Sequence, residues 1–182
     1  NIVPEAIRYL IDNNLIPSSS RFVIYGGHHP VSPGYGGKSK FSVAKFKDFD
    51  INALNPVESF HASLAMNKIR NIDWVIGSDD NELANAISSV DVCVVPYLET
   101  GQAGSGITSQ AMQFGRQVIM SDTTLASEHQ KFSDSKIMVF DTYSYISLAQ
   151  TILRALKSDT SPRFTKNYSF ENILDIITLK ES

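Results

Sequence analysis

The chain has 182 residues, 42% of them hydrophobic, and a formal net charge of −3. That length suits one domain with a substantial core, and the absence of a basic excess argues against nucleic acid as a partner. No apolar run approaches the ~20 residues that span a bilayer and the N-terminus lacks a secretory pattern, so a cytoplasmic protein is expected.

Pro4 suits the first turn of a helix running to about Asn14, with Ile7, Leu10 and Ile11 on one face. Arg21 to Tyr25 then reads as a short strand stopped by Gly26 and Gly27, which permit either a tight turn or a close backbone approach to a ligand. His28 and His29 follow, but neighbours in an extended loop point in opposite directions, and no further ligand completes a metal site around them. Residues 28–55 are too many for an ordinary connection and read as a loop insertion or a small hairpin. Lys38, Lys40, Lys45 and Lys47 interleave there with Phe41, Phe46 and Phe49. A basic aromatic loop of this kind suits either peripheral contact with anionic lipid or a solvated loop whose aromatics fold back on the core.

Asn55-Pro56-Val57-Glu58 resembles a capping box and opens a helix to about Arg70. Ile72 to Ile76 is a strand, followed by a helix that holds Leu83, Ala84 and Ile87. Asp79, Asp80 and Glu82 fall in the first turn of that helix, where the helix dipole accounts for them without a metal. Next comes the most informative stretch, Asp91 to Asp122. A compact apolar run, Val92 to Val95, is stopped by Pro96; a loop with Gly101, Gly104 and Gly106 leads into a helix ending at Gly115, and Val118-Ile119 begins a further strand. A glycine loop feeding a helix N-terminus offers unpaired backbone N–H groups and a positive dipole end, a seat for an anion such as a phosphate. Cys93, the single cysteine, lies inside the apolar strand and reads as a buried small hydrophobe in a reducing compartment.

Thr123 to Gln130 reads as a short helix with Glu128 as a structural cap, Lys136 to Phe140 as a strand, and Tyr143 to Lys157 as a helix. Ser161-Pro162 breaks the chain, and residues 169–180 form a C-terminal helix capped by Ser169. Alternation of helices with short apolar strands argues an α/β, Rossmann-like, doubly wound parallel sheet in a single domain over residues 1–182.

The order Asp91-Val92-x-Val94-x-Pro96, a Glu soon after, the glycine loop, Gln110-Ala111-Met112-Gln113-Phe114-Gly115, Val118-Ile119 and Ser121-Asp122 resembles the donor-binding C-terminal half of retaining GT-B glycosyltransferases of the family 4 type. Glu82-Leu83 and Val90-Asp91-Val92 also stand where that family places such residues, and Gly26-Gly27 where it has a glycine turn. The resemblance implies one half of a GT-B fold, with the N-terminal acceptor-binding domain in a longer chain. The ligand it implies is a nucleotide-diphosphate sugar, transferred to a glycan or lipid-linked acceptor without a metal or other cofactor. Gly104, Ser105, Gly106, Ile107 and Thr108 would hold the diphosphate, Gln110 the ribose hydroxyls, and Gly26 and Gly27 would approach the ligand through backbone. For the sugar-side carboxylate, counting from Pro96 gives Glu99 and counting back from the helix gives Gln102; Glu99 is favoured because only a carboxylate stabilises a cationic sugar. Glutamines where the family has glutamates motivate one alternative, a non-catalytic nucleotide-sugar or partner-binding domain; another, from a different enzyme class, is a GT-B-like sugar-nucleotide epimerase.

Overall fold

A computed structural model describes residues 2–25, 69, 71–75, 80–97, 105–134 and 137–161. The expected loop insertion at 28–55, the helix after Asn55 and the C-terminal helix at 169–180 lie outside the described residues. Two compact units divide the chain, Asn1–Glu82 and Leu83–Ser182.

In the first unit α1 spans Ile2–Asp12 and buries Pro4, Ala6, Ile7 and Leu10, the three- and four-residue spacing of one helical face. Pro4 sits in the first turn, where a missing N–H forfeits no helical bond. On the solvent side Arg8 Nε meets Asp12 Oδ2 at 2.6 Å one turn on. The helix stops near Asn14, as expected, because Asn14 adopts a left-handed φ of 53°. That lets the N–H of Leu15 reach the Leu10 carbonyl at 2.9 Å and the N–H of Asn14 reach Ile11 at 3.0 Å. These two bonds make a Schellman stop with asparagine in the place glycine usually takes. Strand β1 (Phe22–Tyr25) pairs in parallel with β2 (Ile72–Val75), Phe22 opposite Ile72 and Tyr25 opposite Val75. The register is pinned just before β2: the Asn71 carbonyl accepts from the Phe22 N–H at 3.0 Å, while its side-chain amide donates to the Ser18 carbonyl at 3.2 Å.

Helix α2 (Asp80–Ser88) leads into the second unit, where the order is β3 (Val92–Val95), α3 (Gly106–Gln113), β4 (Gln117–Ser121), α4 (Thr124–Lys131), β5 (Met138–Phe140) and α5 (Tyr145–Leu156). The three strands form a parallel sheet in the order β3-β4-β5, with Val95 opposite Met120 and Ser121 opposite Phe140. Every residue of the central strand β4 is buried. Successive strand residues face opposite sides. Val118 and Met120 join Ile87 of α2, Ala111 and Met112 of α3, Leu125 and Ala126 of α4, Val95 and Ile137 in one apolar core. From the other set, the Gln117 amide donates to the carbonyls of Ser158 at 3.2 Å and Thr160 at 2.7 Å, just beyond α5. A glutamine buried in a strand thus has acceptors for both of its amide hydrogens, as a buried polar group requires. Thr151 of α5 donates to the Val139 carbonyl on the edge strand at 3.5 Å.

The result is an α/β arrangement with a three-stranded parallel sheet and five helices among the described residues, consistent with a Rossmann-like fold. Boundaries shift from the expected ones by small amounts. Helix α5 starts at Tyr145 rather than Tyr143 because Ser144 is its N-cap, the hydroxyl accepting from the Ser147 N–H at 3.1 Å. At α4 the cap is Thr123, which accepts from the Ala126 N–H at 3.4 Å. Glu128, expected as a cap, lies in the body of that helix, too far from its first turn to reach the N–H groups left unpaired there. No described helix is long and apolar enough to cross a membrane.

Candidate functional site

The C-terminal edge of a parallel sheet, where strands hand over to helix N-termini, is where doubly wound folds bind ligands. Strand β3 reaches that edge at Val95, and α3 begins from it at Gly106. Between them Pro96 is exposed and Tyr97 packs against the core. Of the residues expected to bind or react, Glu99, Gln102, Gly104, Gly26 and Gly27 lie outside the described residues. Ser105, Gly106, Ile107, Thr108 and Gln110 are described and fall on the first turns of α3 or immediately before them.

Ser105 is 5% exposed and extended, with φ −134° and ψ 108°, and its hydroxyl oxygen accepts from the Thr108 N–H at 3.2 Å. It is therefore the N-cap, and its own O–H proton remains available to donate. Capping uses one of the N–H groups that a helix start leaves unpaired. Those of Gly106 and Ile107 meet no acceptor among the described residues. Gly106 is exposed, and a Cβ built on it would meet nothing within 4 Å, so the space in front of the first helical residue is open. No acidic side chain occupies the first turn of α3, whereas α1 carries Glu5 there. The positive end of the α3 dipole is thus not offset by a carboxylate in the helix's own first turn.

The next residues turn inward. Ile107 is half-buried against the apolar core. Thr108 is fully buried, and its hydroxyl points at Met120 Sδ, 3.9 Å away on β4. Its N–H is held by Ser105 and its side chain by the core, so the hydroxyl expected to face a diphosphate is a packing group in this conformation. Gln110 is half-buried, and its Oε1 is a buried acceptor with no partner among the described residues. Helix α3 ends in a second Schellman stop, Gly115 at φ 63° with the Arg116 N–H on the Ala111 carbonyl at 2.9 Å and the Gly115 N–H on Met112 at 3.0 Å.

Away from this helix start, burial pushes the Cys93 thiol up to about 11, in keeping with a packed thiol rather than a nucleophile. His129 is a further polar residue with no sequence motif around it, yet it is 8% exposed and its Nε2 has no hydrogen-bond partner among the described residues. Desolvation lowers its pKa, and the nearby Glu128 carboxylate opposes that shift only in part. The signal was present in the spacing: Leu125, Ala126 and His129 recur three and four residues apart, which puts the imidazole on the core face of α4. Among the described residues no three of His, Cys, Asp and Glu are grouped to hold a metal ion.

No family model, curated protein or solved structure matches the chain.

Proposed function

We propose that this chain is the nucleotide-sugar-binding domain of a retaining GT-B glycosyltransferase, its sheet doubly wound, with the diphosphate seated at the N-terminus of α3. The observation that carries the reading is the start of that helix: the N–H groups of Gly106 and Ile107, which meet no acceptor among the described residues, open space at Gly106, and no acid in the first turn. Donors of this kind are fixed before the substrate arrives, so they stabilise charge on the departing diphosphate oxygen without reorganising as the bond to the sugar breaks. The Ser105 hydroxyl adds a further donor beside them.

Glu99, from the loop that precedes the helix, is the carboxylate that faces the sugar as its anomeric carbon becomes positive. Gln110 offers its unpartnered Oε1 to the ribose hydroxyls, and Gly26-Gly27 lets backbone approach the ligand. The acceptor hydroxyl, on a glycan or a lipid-linked glycan, comes from a second domain outside this chain, and the protein works in the cytoplasm with peripheral membrane contact. Helix dipole and backbone donors take the charge-neutralising role that a metal ion has elsewhere.

A second reading, a domain that binds a nucleotide sugar or a partner without catalysis, draws on Gln102 and Gln110 where the resembling family has glutamates. A thermal-shift panel of nucleoside diphosphates, their sugars and inorganic diphosphate, run on the full-length protein, tests both. Stabilisation by one nucleoside diphosphate and its sugar, followed by transfer, supports the enzyme. Stabilisation without transfer to any acceptor supports the binding module, and the absence of any shift overturns both.

A further inference from the structure

We draw no further inference here: the strongest candidate, the exposed apolar residues Tyr145, Ile146 and Leu156 along α5 with Tyr143 just before it, carries nothing because no feature among the described residues shows what covers that face.

Discussion

Among the described residues the second unit makes the passage from strand to helix three times along one sheet edge, and the three passages share a kind of cap but not a kind of linker. Each helix is capped alike: Ser105, Thr123 and Ser144 are all extended residues whose hydroxyl accepts the N–H three positions on. The linkers are not alike. Asp122 and Thr123 alone join β4 to α4, residues 141–144 join β5 to α5, and residues 96–105 join β3 to α3. The two shorter connections are tied down by their own polar groups, Thr142 Oγ1 donating to the Asp122 carbonyl at 3.3 Å and the Tyr143 N–H to Asp141 Oδ1 at 3.1 Å. A hydroxyl cap therefore marks a helix start and nothing more. What separates α3 from its neighbours is the long glycine-bearing segment before it and the open space at Gly106.

The largest test of that difference is Glu99, which only the long linker can supply. In the full-length protein, Glu99→Gln is expected to lower sugar transfer by about 10²-fold, the usual loss when one preorganised electrostatic group is removed, while nucleoside diphosphate affinity stays unchanged. A wild-type transfer rate in the mutant would reduce Glu99 to a loop acid.

Gly106→Asp comes next. The site has room for the side chain, and an acid at the first helical position is favoured by the dipole, so the mutant should fold. Its carboxylate would face the diphosphate and is expected to weaken nucleoside diphosphate binding by about tenfold, or ~1.4 kcal/mol, measured by calorimetry. The matching change on a short-linker helix, Ile146→Glu in the exposed first turn of α5, should leave binding untouched. Equal losses in the two mutants would mean that charge anywhere on this edge matters and that α3 has no special seat.

A smaller effect separates the caps themselves. Ser105→Ala and Ser144→Ala should each cost about 1 kcal/mol in urea unfolding, because each leaves an N–H at the helix start without its acceptor. Only Ser105→Ala should also weaken nucleoside diphosphate binding. Thr108→Val should not, since that hydroxyl faces Met120.

The smallest effect is a pH dependence of stability arising on α4. Folding lowers the pKa of His129 from 6.5. Above pH 6.5 the imidazole is neutral in both folded and unfolded chains and contributes no slope. As pH falls through that value the unfolded chain takes up a proton that the folded chain declines, so stability drops until the folded pKa is reached. Unfolding free energies from urea titrations at pH 7.5 and 5.5 should differ in this direction by less than ~1.4 kcal/mol per pH unit, and His129→Leu should flatten the difference. An unchanged slope in the mutant would assign it to other groups.

Much of this architecture can be read in the chain itself, for local reasons. The apolar run Val92–Val95, cut short by Pro96, reads as a strand and forms one, and the three- and four-residue spacing of Leu125, Ala126 and His129 matches one face of a helix. Asn14 and Gly115 end their helices because few other residues tolerate a positive φ. Boundaries slip where two hydroxyls or two aromatics compete for one role, as at Tyr143, Ser144 and Tyr145, since only the Ser144 hydroxyl reaches an N–H three residues on.

Local residue patterns set the succession of strands and helices and the Asn14 and Gly115 stops, because each depends on residues within about one turn of one another, whereas the caps at Thr123 and Ser144 emerged only in the folded chain. Tertiary structure decided which side each residue faces. Met120 lies across from α3, so the Thr108 hydroxyl turns inward instead of toward a ligand; Gln117 reaches carbonyls 41 and 43 residues away. His129 becomes a buried imidazole whose pKa desolvation lowers, by the same kind of packing. Spacing states that a face exists, but what lies against that face is set by the pairing of distant strands, and desolvation and hydrogen bonding follow from that neighbour.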